Sequence, residues 1–169
     1  MKKYLMVAIL CLGSICAMAQ KGEMAVGVHL NFGTAAENVG LGAKFQYGIT
    51  DAIRLEPSLN YYFGDFSALD FNVNAHYLFD VASKIKVYPL VGIGIASFKG
   101  GAEWWTEDPL TGETISGGDS GRSTNFAVNL GAGGEYALND KISLGLELKY
   151  QIISGFNQFV VGIGATYKF

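Results

Sequence analysis

From about residue 23 the chain alternates apolar side chains with polar or small ones over most of its length. A period of two is the mark of a β-strand whose faces meet different surroundings. The clearest stretch is 142–152, where Ile142, Leu144, Leu146, Leu148, Tyr150 and Ile152 share one face. Ser143, Gly145, Glu147, Lys149 and Gln151 form the other. The stretch 159–169 repeats it, with Phe159, Val161, Ile163, Ala165, Tyr167 and Phe169 against Gly162, Gly164, Thr166 and Lys168. A third, 125–136, sets Phe126, Val128, Leu130, Ala132 and Tyr136 against Asn125, Asn129, Gly131, Gly133 and Glu135. The first half reads alike over 23–33, 39–49, 53–63, 69–79 and 85–98. These eight stretches are each about 10 residues or a little longer, the length a tilted strand needs to cross a bilayer.

The connections alternate in character. Residues 50–52, 80–84 and 139–141 are tight turns, and 99–122 is one long polar insertion. An even strand count puts both termini and the three tight turns at one end, and the remaining loops, including 99–122, at the other. Short turns on the periplasmic side and longer loops outside are the habit of outer-membrane barrels. Pro57 and Pro89 fall inside strands, where a closed barrel has no free edge for a residue without an N–H, so a bulge or a late start of pairing is expected at each. Leu78, Leu90 and Ile153 fall on the polar parity, and Gly134 on the apolar one.

The faces then sort themselves by volume. An eight-stranded barrel has room inside only for side chains. Roughly five or six apolar residues on each strand, most of them large, exceed that room, whereas the alternate face carries many glycines among its polar residues. The polar face therefore points inward and the apolar face outward, where only lipid makes it stable. Phe32, Phe63 and Phe126 fall near the loop ends of their strands, and Tyr47, Phe79, Tyr136, Tyr167 and Phe169 near the turn ends, as two interfacial girdles would. The alternative is a secreted ligand-binding β-sandwich with its aromatics in the core.

The beginning of the chain bears on location. Met1-Lys2-Lys3, an apolar run over 4–18 and Ala17-Met18-Ala19 have the layout of a secretory signal peptide cleaved after residue 19. Both cysteines, Cys11 and Cys16, lie within it, so residues 20–169 hold no thiol for a disulfide, a metal site or a nucleophile. Residues 20–169 keep 10 of the 12 basic and all 15 acidic side chains, a formal charge of −5 that argues against a nucleic-acid partner. No later run is apolar enough for a membrane helix, so a membrane-spanning form must be a closed barrel.

The whole of 20–169 resembles the small eight-stranded outer-membrane β-barrel proteins, the OmpA-like and OmpX-like barrels of the "outer membrane protein beta-barrel domain" or porin family. The most local match is Gly164-Ala165-Thr166-Tyr167-Lys168-Phe169, similar to the C-terminal assembly signal of that family through Gly164, Tyr167 and Phe169. The resemblance implies an all-β, eight-stranded antiparallel up-and-down transmembrane barrel in the cell outer membrane. It also implies contact with outer-membrane lipid and insertion by the outer-membrane assembly machinery. It implies no activity, because function lives in sites and not in folds.

Candidate chemistry is sparse. The G-x-G pairs at Gly40, Gly92, Gly131 and Gly162 do not lead into a helix, so they are not dinucleotide fingerprints. Lys44, Arg54, Glu56, Asp70, Lys86, Glu135, Glu147, Lys149 and Lys168 share the inward parity. Unpaired buried charges are costly, so these should pair across the lumen, as a structural plug or as a gate. His29, His76, Ser58 and Ser143 also face inward, yet no spacing specifies a catalytic group or a set of three or four metal ligands. The expectation is therefore no enzyme, no cofactor and no metal. In the insertion 99–122, Glu103, Trp104, Trp105, Glu107 and Asp108 suit an interaction surface for an unknown extracellular ligand, or an interfacial anchor. The leading reading is a structural or surface-interaction role with a lumen filled by side chains. A narrow porin-like solute channel and an enzyme acting on lipid are the alternatives within the membrane.

Overall fold

The computed structural model describes residues 22–35, 37–64, 66–107, 114–154 and 156–169, with side chains at all of these except 66, 99–107, 114–122 and 156. The alternating stretches form strands β1 Met24–Gly33, β2 Asn38–Gly48, β3 Ile53–Tyr62, β4 Phe66–Tyr77 and β5 Phe79–Ala82. They continue as β6 Ile85–Glu107, β7 Thr114–Ala137, β8 Ile142–Ile153 and β9 Phe156–Lys168. Each strand pairs antiparallel with its neighbour in sequence, β4 and β5 both pair with β6, and β1 pairs with β9, so the sheet closes on itself. One closed sheet has no second layer to pack against, which excludes the sandwich.

β4 and β5 are one barrel strand interrupted at Leu78. The rungs His76↔Leu90 and Phe79↔Val87 lie on the same register, and the missing rungs between them fall opposite Pro89. Pro57 acts alike, since the β2–β3 ladder skips from Lys44↔Ser58 to Tyr47↔Leu55 without changing register. Each proline thus interrupts pairing on one side of its strand only, in place of the bulge or late start of pairing expected from the sequence. The register shift lies instead between Asp80 and Ala82, just before the turn.

Following partners around the barrel from Met24 through Tyr47, Leu55, Ala75, Val91, Leu130, Tyr150 and Phe159 leads to Thr34, ten residues further along the chain from Met24. With strands about 4.8 Å apart and about 3.3 Å of rise per residue, that stagger tilts them by about 40°. Side chains of one parity then form a lumen too narrow for anything but themselves. The other parity forms the belt: Val28, Leu41, Ile93, Leu146 and Ile163 are all more than half exposed. Tyr61–Phe63 and Tyr150–Phe159 cluster toward the loop end, and Tyr77–Phe79 and Tyr167–Phe169 toward the turn end.

The turns are closed by their own polar side chains. Thr50 Oγ1 accepts from the amides of Ala52 and Ile53, and Asn139 Oδ1 from those of Lys141 and Ile142. At the opposite end Gly64 has φ +136°, a conformation that disfavours any side chain.

The insertion 99–122 is not a loop over its described part. The β6–β7 ladder runs unbroken from Ile85↔Tyr136 to Glu107↔Thr114, whereas β4 stops opposite Gly100 and β8 stops at Ala127. Beyond these points, among the described residues, the two strands pair only with each other, as a free ribbon extending by about 20 Å at 3.3 Å per residue. The sequence hides this because a ribbon clear of the bilayer has no lipid face, and the period of two weakens with it.

Candidate functional site

The lumen is built in layers. At the turn end lies a vestibule of about 360 Å³, bordered by Glu23, Gln46, Asp80, Lys86 and Lys168. Its floor is an ion pair between Arg54 of β3 and Glu135 of β7, with Nη2–Oε1 at 2.8 Å and Nη1–Oε2 at 2.9 Å. Such a two-pronged pair is strong and directional. Arg54 also donates to Gln46 Oε1 at 3.3 Å and, through Nη2, to His76 Nδ1 at 3.0 Å. Its guanidinium lies 5.0 Å from the Tyr88 ring centroid, and His76 stacks on Tyr88 at 4.4 Å. Gln46 Nε2 donates to Glu56 at 2.7 Å and to Glu135 at 3.2 Å, while Lys44 pairs with Glu56 at 3.1 Å. These residues come from β2, β3, β4, β6 and β7, so the layer crosses the whole lumen.

Toward the loop end the charges give way to amides. His29 Nε2 and Asn31 Nδ2 both reach Asn60 Oδ1, at 2.5 and 3.0 Å. Asn129 of β7 donates across the lumen to Asn72 and Asn74 of β4, at 2.8 and 3.0 Å. Asp70 accepts from Asn72 at 2.8 Å and from Gln151 at 3.2 Å, and Gln158 donates to Gln151 at 2.8 Å. The mouth is apolar: Ala96, Ala127 and Ile153 are buried together, with Phe98 packed on them. Glycines make room for the large groups opposite. A Cβ at Gly133 would lie 2.5 Å from the Tyr88 ring, and one at Gly94 would lie 2.9 Å from the Phe71 carbonyl oxygen.

The nine charged residues read as lumenal therefore separate. Lys44 with Glu56 and Arg54 with Glu135 form buried cross-strand pairs. Glu147 accepts from Tyr88 Oη at 3.5 Å, and Lys149 is buried two residues further along β8. Asp70 departs from the expected pairing, since its partners are neutral amides. Lys86 and Lys168 stand at the turn rim and pair with Asp80 and Glu23, at 3.6 and 3.5 Å. The amides Gln46, Asn60, Asn72, Asn74, Asn129 and Gln151 are not singled out by the sequence. Their signal is present, since all lie on the inward parity, but an amide carries no charge that demands a partner.

Two chemical readings can be tested on this geometry. Ser58 and Ser143 are buried, and the side-chain bonds of His29 and His76 go to Asn60 and Arg54, so no hydroxyl–imidazole pair is formed. Ligand atoms of Glu56, His76 and Glu147 lie within 4.8 Å of one another, the spacing of a metal cluster. The donor direction opposes that use. Arginine only donates, so His76 Nδ1 accepts from Arg54, and the neutral ring carries its proton on Nε2, the atom a metal would need. Lys44 already neutralises Glu56 as well.

Of the residues read as an interaction surface, Glu103, Trp104, Trp105 and Glu107 lie on the β6 half of the ribbon, and Asp108 lies outside the described residues. Gly164 stands on β9 opposite His29 and Gly145, Tyr167 opposite Val26, and Phe169 just beyond the strand.

The family model described as "Outer membrane protein beta-barrel domain" matches residues 7–169. The chain belongs to this family. Its members' location places it in the outer membrane, with lipid against its apolar belt. No curated protein matches the chain. Among solved structures, a major outer membrane protein from Thermus thermophilus is similar with a TM-score of 0.63 at 15% identity, covering 89% of this chain and 100% of that one. The N-terminal β-barrel domain of Pseudomonas aeruginosa OprF gives 0.62 at 18% identity, covering 87% and 97%. Ail, the attachment invasion locus protein of Yersinia pestis, in complex with the heparin analogue sucrose octasulfate, gives 0.56 at 15% identity, covering 88% and 97%. At these identities the likeness is one of fold.

Proposed function

We propose that this outer-membrane barrel is a non-conducting, non-enzymatic structural element that carries an interaction ribbon on the cell exterior. The observation that carries the first part is the cross-lumen layer of Arg54, Glu135, Gln46, Glu56 and His76, closed again above by Asn129 bridging to Asn72 and Asn74. A hydrated ion would have to break both layers. The channel alternative is tested in planar bilayers: the reading expects no discrete conductance steps, and reproducible steps from the purified chain would replace it with a narrow channel.

Support for the second part comes from the ribbon's reach beyond the rim and from its composition. Residues 99–122 carry Glu103, Glu107, Asp108, Glu113 and Asp119 against Lys99 and Arg122, together with both tryptophans of the chain. That balance favours a cationic or aromatic-binding partner over a polyanion such as the sucrose octasulfate bound by Ail. Export through a signal peptide ending at residue 19, and insertion by the outer-membrane assembly machinery through the Gly164–Tyr167–Phe169 pattern, complete the reading. Removing residues 101–120 should abolish binding of the ribbon's partner to cells while leaving the barrel folded.

A further inference from the structure

The lipid belt is not even. Across β8, β9, β1, β2 and β3 it carries a hollow of about 950 Å³ on its outer surface. The hollow lies between two neighbouring rows of partner residues. One runs Ile142, Tyr167, Val26, Phe45, and the other Ala165, Val28, Ala43, Leu59, ending at Phe71 on β4. Its floor is low because Ala43, Ala165 and Pro57 stand there between the larger Val26, Val28, Phe45, Leu59 and Tyr167.

Two features give the hollow a direction and an occupant. Rows of partners run perpendicular to strands tilted by about 40°, so they climb from the turn rim toward mid-membrane. Four strand spacings of about 4.8 Å plus the width of two rows give a climb of about 15 Å, one leaflet of a hydrocarbon core about 30 Å thick. At the low end stands Lys141, its Nζ 3.4 Å from Tyr167 Oη and 5.7 Å from that ring's centroid. The neighbouring cations Lys168 and Lys86 are paired with Glu23 and Asp80, but none of the ion pairs among the described residues includes Lys141. A cation and a phenol hydroxyl at the interface, at the foot of a leaflet-long apolar groove, match a phosphate with an acyl chain running from it toward mid-membrane.

We infer that this groove is a binding site for one glycerophospholipid of the turn-side leaflet, with its phosphate at Lys141 and Tyr167 and one acyl chain over Ala43, Pro57 and Ala165. The inference rests on the membrane-barrel reading.

The full chain, reconstituted with dioleoylphosphatidylglycerol and extracted into mild detergent, is analysed by native mass spectrometry. The wild type should retain one lipid per monomer. Ala43→Phe and Ala165→Phe, which fill the groove from outside the lumen, should each lower occupancy by about fivefold or more, and Lys141→Gln by about threefold. Dioleoylglycerol, with the same chains and no phosphate, should be retained at least about fivefold less than the phospholipid. Ala132→Phe, on the belt face of β7 outside the groove, should behave as wild type. Equal retention by wild type and Ala165→Phe, equal loss in Ala132→Phe, or a lipid-free dimer that Ala43→Phe dissociates would each overturn the site. Heat-shifted gel mobility is read on every variant. A wild type with no shift overturns the barrel, and this inference with it, whereas a shifted but lipid-free wild type overturns the lipid site alone.

Discussion

Arg54→Met removes one partner from the layer that closes the vestibule. Both side chains of the ion pair are less than a tenth exposed, so solvent cannot replace what is lost. The substitution leaves Glu135 with one amide donor, Gln46 Nε2 at 3.2 Å, and deprives Gln46 Oε1 and His76 Nδ1 of their only arginine contacts. Breaking a buried pair from one side costs about 3–5 kcal/mol, and each orphaned buried acceptor about 1–3 kcal/mol, so a loss of at least about 5 kcal/mol is expected. Arg54→Met with Glu135→Leu removes both charges, and replacing a buried pair by apolar groups is often neutral or favourable. The double variant should therefore be more stable than Arg54→Met alone, by about 2 kcal/mol. Urea titration of the refolded barrel, reading the fraction of the compact gel band, measures all three proteins. A loss below about 1 kcal/mol for Arg54→Met would mean a wet lumen, and a double variant worse than the single would show that the pair is not what fills this layer.

Three further outcomes follow from the same geometry. Gly131→Ala should lower stability by about 1–3 kcal/mol, because its Cβ would lie 2.7 Å from Lys149 Cα, whereas Gly134→Ala, with nothing nearer than 3.8 Å, should be close to neutral in the same titration. Leu148→Arg, near the middle of β8, should cost about 2–4 kcal/mol in lipid, and Ile85→Arg at the turn rim about 0–1 kcal/mol. Equal losses at the two positions would deny the lipid belt. Removal of the acidic ribbon, residues 101–120, should leave the urea midpoint of the barrel within experimental scatter, since beyond Gly100 the ribbon pairs only with itself.

The fold was legible because one rule repeats across the chain: apolar out, polar or glycine in, as in Leu144 and Leu146 against Ser143 and Gly145. The tight turns were legible too, through Thr50 and Asn139. Less visible were the features set by partners distant in sequence. Whether Pro57 and Pro89 bulge depends on which neighbour their nitrogen faces, and that depends on register. The ribbon was hidden because β-pairing outside lipid leaves little hydrophobic alternation. In the lumen parity marks the charges but not their partners. Arg54 meets Glu135, 81 residues away, and Asp70 meets amides, choices made by the stagger of the whole barrel.

The β1–β9 seam differs from every other ladder in the sheet. The rest join strands that follow one another in the chain and can zip from a turn or loop outward. The seam joins Ala25 to Lys168, and no connection of its own brings those residues together. Local hairpins therefore form before it, and closure comes last, when the other ladders have already brought β1 and β9 face to face. Until then both edge strands present unpaired amides and carbonyls that neither lipid nor a neighbouring copy can safely meet. The chain is thus committed to a folding route in which the open sheet must be sheltered, and its stability and its solubility before insertion depend on the same ladder.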